Sequence, residues 1–350
     1  MDAAWWRWHF FLARSAPNRY KRRMNFRPLV AVVYSSISLD VNVVLDLEKQ
    51  LIGEAAEVRS FCVPETMPLD SVPAELFEAD ALIVWHSVTL HAGVIERLAR
   101  CRAIIRNGAG VDNVDAEAAK RRNIPVCNVP DYGVEEVADH AIALVLALCR
   151  QLFPLHQEGK QLGWSIPESS RIRRLSTLTF GLVGMGRIGT AAALRAKALG
   201  FRVVFHDPYL PSGIQKSIGV TRIETLDELL KSADVVSIHC PLTKETHGMI
   251  DARELGLMKP TAYLVNTARG GIVRKHPLFE ALNAGRLAGA GLDVIEDEPL
   301  RSAEEAATRN LIVTCHAAFY SAESLEEMRS SAAKLARAAA LGLPLWNRVA

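Results

Sequence analysis

Short apolar runs alternate with stretches of helical apolar spacing along the first third of the chain. Apolar runs that predict strands lie at 29–34, 58–61, 81–85, 103–106 and 124–128, and helical spacing lies at 41–52, 92–100 and 116–122. Strands that alternate with helices are typical of a parallel sheet with helices on both faces. The pattern therefore predicts a first α/β domain.

A second series of apolar runs follows a long helical segment. Residues 134–152 are apolar nearly throughout, which predicts one buried helix between domains, whereas the polar residues 153–177 predict an irregular surface loop. Apolar runs then recur at 178–183, 201–206, 235–239, 262–266, 288–294 and 311–314. Capping signals at Thr225 and Ser324 predict two helix starts, and the second helix is expected at about 325–341.

A glycine pattern joins two of these runs. Gly184, Gly186 and Gly189 form Gly-x-Gly-x-x-Gly between the run at 178–183 and an alanine-rich helix. The first glycine permits a tight turn, the second lets backbone approach a pyrophosphate, and the third lets the helix pack closely on the strand. The helix start offers free N–H groups to phosphates. The pattern predicts a nicotinamide dinucleotide site; the alternative is a glycine-rich turn in an ordinary α/β unit.

Asp207 predicts NAD rather than NADP as the cofactor. It ends the strand that follows the glycine pattern, about 20 residues on, where a carboxylate accepts hydrogen bonds from a ribose hydroxyl and repels a 2′-phosphate. No arginine directly follows Asp207 to offset that repulsion.

Three later strands end in residues with catalytic chemistry. Arg269 follows the run at 262–266, and its planar guanidinium matches a carboxylate, although a surface arginine in a turn is the alternative. His316 follows the last run and is a candidate proton donor to a carbonyl, although a lone histidine in such a place is usually structural. Glu298 lies in an acidic cluster that begins at Asp293, and a carboxylate beside His316 would orient the imidazole and favour its protonated form. Because ligands bind at the carboxyl ends of strands in open α/β sheets, we expect these side chains to share a site.

Four motifs occur in an order and at a spacing that match a known family. The glycine pattern, Asn-Thr-Ala-Arg-Gly-Gly at 266–271, Leu-Asp-Val-x-x-x-Glu-Pro at 292–299 and the strand-end histidine together resemble the D-isomer-specific 2-hydroxyacid dehydrogenase family. The resemblance covers nearly the whole chain from about residue 29. The segments at 126–130, 134–139, 207–210 and 316–321 are most similar to the C-terminal binding protein branch, which includes animal transcriptional corepressors that retain the dehydrogenase fold.

The resemblance implies a role for each matching residue. It implies that Arg269 binds the carboxylate and carbonyl of the substrate, that His316 is the proton donor, and that Glu298 pairs with His316. The implied substrate-binding residues are Arg106, Asn107, Gly108, Ala109, Gly110 and Phe319. The implied cofactor-binding residues are Gly184, Gly186, Arg187, Ile188, Gly189, Asp207, Cys240, Pro241, Thr267, Ala268 and Asp293. Among these, Asp293 would face the nicotinamide carboxamide.

Three positions depart from the family pattern, and at one of them Val137 replaces a threonine. Phe319 stands where the most similar branch commonly has tryptophan, which predicts a different substrate pocket. Cys315 replaces the usual proline before the histidine, which weakens the argument for a hinge at this position. The residues with implied catalytic roles are all present.

The glycine pattern lies in the middle of the chain, with α/β pattern on both sides of it. We therefore predict two Rossmann/flavodoxin-like parallel-sheet α/β domains, with the cofactor domain inserted into the substrate domain. The predicted substrate domain comprises 28–127 and 317–350, the NAD-binding Rossmann domain comprises 128–316, and 1–27 form an N-terminal extension. A cofactor-dependent site is expected in the cleft between the two domains.

Composition bears on partners and compartment. The net charge of +2 gives no indication of nucleic-acid binding, and no apolar run reaches the length of a membrane span. The six cysteines are scattered without a Cys-x-x-Cys pair, which indicates free thiols in a reducing, cytoplasmic compartment. No His/Cys cluster has metal-ligand spacing, so no metal is expected.

The first residues have a different composition from the rest. Tryptophan and phenylalanine are concentrated at 5–11, and a basic, acid-poor stretch follows at 14–23. The segment predicts either an organellar targeting peptide or an extension that precedes the true start at Met24. We prefer the second interpretation because the first predicted strand begins soon after Met24, and we expect the extension to be dispensable for fold and activity.

The favoured function is an NAD-dependent oxidoreductase that interconverts a small D-2-hydroxy acid and its 2-keto acid. The alternative is an NAD(H)-binding, corepressor-like scaffold in which turnover is incidental. The intact set of Arg269, Glu298 and His316 favours the enzyme. The resemblance also implies a homodimer built on the cofactor domains.

Overall fold

Two parallel sheets form the framework of the molecule. The computed structural model describes residues 27–36, 45–161, 164 and 172–350, so the predicted extension lies outside the described residues except for Arg27. The first sheet comprises β1 (Leu29–Tyr34), β2 (Glu57–Cys62), β3 (Ala81–Val84), β4 (Ile104–Arg106) and β5 (Val126–Cys127). Its strands are parallel and lie in the order β2-β1-β3-β4-β5. The strand positions predicted for the first third of the chain are confirmed.

Short helices connect the strands of the first sheet. They are α1 (Asp46–Ile52), α2 (Ala92–Ile95) and α3 (Ala116–Arg121), with 3-10 turns at Gly53–Ala55, Leu69–Ser71 and Ala74–Glu78. The helix predicted at 92–100 is shorter than expected, and the residues predicted to be helical at 41–44 lie outside the described residues. Asp115 caps α3 by accepting a hydrogen bond from the Ala118 backbone N–H.

In the chain segment that connects the two sheets, two helices form where the apolar pattern predicted one. The helices are α4 (Val134–Cys149) and α5 (Leu152–Lys160), and their axes differ by 59°. The prediction of one helix over 134–152 was therefore wrong, because the backbone of Gln151 has a left-handed φ of 52° that ends the first helix. The prediction that 153–177 is irregular was also wrong for α5. Within the described residues, no single helix is long and apolar enough to cross a membrane, whereas α4 and α5 meet that test of length and composition only as a bent pair.

The second sheet contains seven parallel strands. They are β6 (Thr179–Val183), β7 (Arg202–His206), β8 (Thr221–Arg222), β9 (Val235–Ile238), β10 (Tyr263–Asn266), β11 (Gly289–Leu292) and β12 (Leu311–Val313). Their order is β12-β11-β10-β9-β6-β7-β8. The associated helices are α6 (Arg187–Ala198), α7 (Ile214–Ile218), α8 (Leu226–Ser232), α9 (Ala252–Leu257), α10 (Lys275–Asn283) and α11 (Ala303–Ala306), with 3-10 turns at Leu175–Thr177 and Gly270–Ile272. The predicted fold of two parallel-sheet α/β domains is confirmed.

Helix α4 packs closely on the second sheet. A Cβ built on Gly291 would lie 3.0 Å from the Leu144 side chain, and one built on Gly289 would lie 3.2 Å from that of Leu148. The absence of side chains at these two glycines of β11 therefore lets the helix approach the sheet. The same helix contacts α6, so α4 belongs mechanically to the second domain.

The last helix, α12 (Ala322–Leu341), returns to the first sheet. Its buried residues share one apolar core with β1 and β3, where Met328 and Ala332 pack in the same cluster as Val30 and Ile83. Ser321 caps the helix, because its side chain accepts a hydrogen bond from the Ser324 backbone N–H. The prediction that Ser324 is the cap was wrong, because Ser324 is already the third residue of the helix.

The two chain segments that connect the domains are hydrogen-bonded to each other. Ser321 Oγ donates to Glu136 at 2.8 Å, and His140 Nε2 lies 2.9 Å from Thr314 Oγ1. Glu136 and His140, which both lie on α4, thus contact the segment that leads back to the first domain. The entry and exit of the second domain therefore form one junction beside the interdomain cleft.

Candidate active site

A cavity of about 550 Å³ lies between the two domains, at the carboxyl ends of strands from both sheets. Of the residues predicted to form the site, those that line it are Arg106, Asn107, Ala109, Gly110, Arg187, Ile188, Cys240, Pro241, Thr267, Ala268, Arg269, Asp293, His316 and Phe319. Glu298 contacts His316 on the far side of its ring from the cavity. Of the other predicted residues, Gly108 lies in the loop after β4, the three glycines lie in the turn after β6 and the first turn of α6, and Asp207 contacts that turn from the end of β7. The predicted site residues are thus brought together; their individual roles remain predictions.

His316 is held by a carboxylate on one side of its ring. Its Nδ1 lies 3.0 Å from Glu298 Oε2. An ionised carboxylate only accepts hydrogen bonds, so Nδ1 carries the hydrogen and Nε2 is left for the cavity. The backbone of His316 has a left-handed φ of 54°, and its N–H donates to the Asp293 carbonyl at 2.8 Å. The histidine at the strand end is therefore fixed in both backbone and ring orientation.

Two guanidinium groups face the same cavity. Arg269 donates from Nε to both oxygens of Asp112, at 3.0 and 3.2 Å, and from Nη1 to the Ala268 carbonyl at 2.7 Å. Arg106 is 6% exposed and donates from Nη1 to the Asn107 carbonyl at 3.1 Å. Burial lowers the pKa of Arg106 to about 10, and repulsion by Arg269 contributes to the lowering.

Two glycines in the loop that follows β4, at 107–110, make room for these two arginines. A Cβ on Gly108 would lie 1.6 Å from Arg106 Nη1, and one on Gly110 would lie 1.7 Å from Arg269 Nη2. The family resemblance implied that both glycines bind substrate. The contacts give a second reason for glycine at both positions, because any side chain would displace a guanidinium.

An aromatic wall lies beside His316, and most of it was not predicted. The ring centroids of His86 and His316 are 5.7 Å apart, those of His86 and Phe319 are 5.8 Å apart, and those of Tyr132 and Phe319 are 6.1 Å apart. Burial lowers the pKa of His86 to about 3, with further lowering by the charge of Arg106, so this ring is neutral at ordinary pH. His86 follows β3 after one intervening residue, so the strand-end rule that singled out His316 could also have singled out His86.

The glycine turn fits a dinucleotide. Gly184 has a φ of 90°, and a Cβ there would lie 2.7 Å from the Cys240 backbone nitrogen. A Cβ on Gly189 would lie 2.3 Å from the Gly184 carbonyl oxygen, whereas one on Gly186 would meet nothing within 4 Å. Gly184 therefore packs against the residues that follow β9, and Gly189 packs against Gly184 itself. The space beside Gly186 stays open for a pyrophosphate. Thr267 also lines the cavity, and its buried hydroxyl has no partner within the described chain.

A family comparison assigns the cofactor domain. The model described as "D-isomer specific 2-hydroxyacid dehydrogenase, NAD binding domain" matches residues 142–318. The chain belongs to the D-isomer specific 2-hydroxyacid dehydrogenase family. The family resemblance inferred from the sequence motifs is confirmed, and NAD is the cofactor of the family's matched domain.

Individual relatives of the family agree with this assignment. D-3-phosphoglycerate dehydrogenase of Methanocaldococcus jannaschii is 35% identical over 267 residues, which are 76% of this chain and 50% of the relative. C-terminal-binding protein 1 of Caenorhabditis elegans is 34% identical over 276 residues, which are 76% of this chain and 38% of the relative. The chain thus spans half or less of the length of these two relatives, and their nearly equal identities do not favour the C-terminal binding protein branch over the rest of the family.

A solved structure of a family member supports the fold over almost the full chain. D-Lactate dehydrogenase from Aquifex aeolicus, complexed with NAD and lactic acid, superposes with a TM-score of 0.78 at 31% identity. The match covers 89% of this chain and 96% of that chain.

Asp293 has a structural role that the family motif did not reveal. Its Oδ1 accepts hydrogen bonds from the Thr314 hydroxyl at 2.6 Å and from the Ala317 N–H at 2.9 Å, and its Oδ2 accepts from the Ala318 N–H at 2.9 Å. The carboxylate therefore holds the segment on both sides of His316. Its predicted contact with the nicotinamide carboxamide stays a prediction.

Asp207 lies beside the glycine turn, as the sequence predicted. One carboxylate oxygen accepts from the Met185 N–H at 2.9 Å and the other from the Tyr209 N–H at 3.0 Å. The sequence showed no arginine directly after Asp207, but Arg222 reaches this corner from β8. Its Nη2 donates to the carbonyls of Asp207 at 3.0 Å and Leu210 at 2.7 Å.

We predict that NADH binds more tightly than NADPH and that Asp207→Asn reduces this preference by on the order of tenfold. The substitution removes the charge that repels a 2′-phosphate while Arg222 stays nearby. Dissociation constants of both nucleotides, measured by fluorescence titration, would test this. Glu224→Gln removes an exposed charge two residues after Arg222 in the sequence and serves as the control. Equal affinity of the unmodified protein for the two nucleotides would contradict the prediction.

Proposed function

We propose that the protein is an NAD-dependent oxidoreductase that interconverts a small D-2-hydroxy acid and its 2-keto acid. The observation that carries the proposal is the 3.0 Å contact between His316 Nδ1 and Glu298, in a cavity that also contains the Arg269 guanidinium. The contact leaves Nε2 free to exchange a proton with a ligand. A histidine in this setting, close to a cation that matches a carboxylate, suits proton transfer to a 2-keto acid.

The chain's own residues would orient the keto acid and supply its proton. Arg269 and Arg106 would bind the carboxylate and polarise the neighbouring carbonyl. Bound NADH supplies a hydride to the substrate's C2. The proton would pass from His316 Nε2 to the carbonyl oxygen, which gives the hydroxyl group, while Glu298 stabilises the imidazolium before transfer. In oxidation the neutral His316 would accept the proton.

A turnover experiment separates this function from its alternative. The similarity to C-terminal-binding protein 1 of Caenorhabditis elegans favours a second candidate, an NAD(H)-binding scaffold in which turnover is incidental. A panel of 2-keto acids with NADH, followed by loss of NADH absorbance, would distinguish the two. Sustained turnover of at least one acid is expected; tight NADH binding without turnover of any member would favour the scaffold.

Replacement of Arg269 by lysine should lower kcat/KM for the keto acid by on the order of tenfold or more. Lysine keeps the positive charge but loses the planar guanidinium, whose Nε and Nη1 contact Asp112 and the Ala268 carbonyl while Nη2 is left for the substrate. We expect KM to rise and kcat to fall, with NADH affinity unchanged. Arg253→Lys, which changes an exposed arginine on α9, is the matched control. Unchanged kinetics in the Arg269 variant would show that this side chain does not bind the substrate.

We also propose that the protein acts as a homodimer in the cytoplasm. Exposed Leu152, Phe153 and Trp164 in the segment between the two sheets support an interface there. All six cysteines are free, which suits a reducing compartment. Light scattering at micromolar concentration would test the homodimer. The location of a tagged chain in cells would test the compartment.

A further inference from the structure

We propose that Asp112 determines the charge of the acid that the cavity selects. The proposal rests on the proposed function, because it takes the Arg106 and Arg269 side of the cavity as the substrate subsite. It states that Asp112 leaves this subsite with one excess positive charge, so that acids with a single negative charge are preferred over doubly charged ones.

Asp112 is bound to one edge of Arg269. Both of its oxygens accept hydrogen bonds from Nε, at 3.0 and 3.2 Å, while Nη1 donates to the Ala268 carbonyl. Within the described residues Nη2 has no acceptor, so it is available to a ligand in the cavity. The pair joins the two domains, since Asp112 comes from the loop after β4 and Arg269 from the loop after β10.

Arg106 adds a second positive charge that no carboxylate compensates directly. In the part of the chain that is described, no carboxylate oxygen lies within 4.0 Å of its guanidinium, and the side chain is buried. Burial alone would raise the pKa of Asp112, but the charge and hydrogen bond of Arg269 more than offset this and lower it. Asp112 therefore stays ionised, and two guanidinium charges less one carboxylate charge leave one positive charge.

In the part of the chain that is described, no other charged group of the cavity is paired with these two arginines. Asp293 keeps its negative charge, but its carboxylate accepts three hydrogen bonds from the segment around His316 and none from Arg106 or Arg269. Arg187 begins α6 on the side of the glycine turn. His86 is neutral, and a protonated His316 is balanced by Glu298. A singly charged acid would thus neutralise the subsite, whereas a second negative charge would face Asp112 without a counter-charge.

Two small probes of nearly equal shape test the proposal by binding. Oxamate carries one negative charge and oxalate two. Their dissociation constants would be measured by calorimetry on the NADH-loaded protein and on Asp112→Asn, Asp112→Ser and Asp112→Glu. Glu117→Gln, which removes an exposed charge on α3, is the matched control.

Loss of the Asp112 charge should shift the ratio of the two affinities towards oxalate by on the order of tenfold. We expect the shift in both uncharged variants, whereas Asp112→Glu and Glu117→Gln should keep the ratio within about twofold of the unmodified protein. A merely structural role would weaken both probes together and leave the ratio unchanged. An unchanged ratio, or loss of both probes in both uncharged variants, would overturn the proposal.

The binding ratio does not depend on turnover. A protein that reduces none of the 2-keto acids tested, yet shows the shifted ratio, would disprove the proposed reaction while supporting charge selection. Turnover with an unshifted ratio would support the proposed reaction and disprove charge selection.

Discussion

Replacement of His316 by alanine should lower kcat for 2-keto acid reduction by on the order of a hundredfold or more. The variant loses the group whose Nδ1 is held by Glu298 and whose Nε2 is free for the substrate. NADH binding should persist, because the glycine turn is unchanged. His276→Ala, which alters an exposed histidine on α10, is the control. A near-normal rate in the His316 variant would mean that another group donates the proton.

The pH profile identifies the donor independently. Reduction needs protonated His316, so kcat/KM should fall as pH rises. Burial lowers the pKa of His86 to about 3 and that of His239 to about 4, so both are already neutral above pH 5. They therefore do not cause this fall, which is the alkaline limb of the profile. Glu298→Gln removes a charge that stabilises the imidazolium and should move the limb to lower pH. A lower rate with an unmoved limb would show that Glu298 positions some other group.

The second large effect concerns stability. Arg329 on α12 donates to both oxygens of Glu48 on α1, each at 2.7 Å, and the Glu48 side chain is only 2% exposed. Arg329→Met should lower the free energy of unfolding by about 3–5 kcal/mol, because it leaves a buried carboxylate without its counter-charge. Glu48→Gln should cost less, since Arg329 is 24% exposed and can reach water. Urea unfolding of the variants would measure both effects.

The double variant Glu48→Leu/Arg329→Met provides the decisive comparison. It removes both charges, so it should recover most of the stability lost in Arg329→Met. Asp227→Ala, which breaks the exposed pair with Arg253, should change the unfolding transition little. Equal losses in the double variant and in Arg329→Met would show that packing, and not the stranded charge, dominates.

The central strands β3, β9 and β10 were predictable because each is buried on both faces of a parallel sheet and is therefore mostly apolar. The break after α4 was not, because it depends on a left-handed backbone at Gln151, a residue type without a turn preference. The start of α12 was misplaced for a related reason. Ser321 and Ser324 both suit a cap locally, and the hydrogen bond from Ser321 to Glu136, far away in sequence, distinguishes them.

The site was predictable where a side chain lies just beyond the end of a strand. Arg269 lies three residues after β10 and His316 three residues after β12, and sequence motifs tied Glu298 to them. Asp112, Tyr132 and Arg222 reach the site from loops or from a neighbouring strand, so their contacts depend on how the chain packs. Sequence periodicity carries no information on those directions. His86 lies only two residues after β3, so the same rule could have found it.

The return of α12 to the first sheet has a consequence for synthesis on the ribosome. The face of that sheet lined by Val30 and Ile83 is covered by residues made only after the whole cofactor domain. At the usual rates of about 5–20 residues per second, that face waits roughly ten to forty seconds for its partner helix. We therefore expect the cofactor domain to become protease-resistant on the ribosome before the domain that precedes it. During that interval, the uncovered sheet is the part of the nascent chain most exposed to aggregation and to chaperone capture.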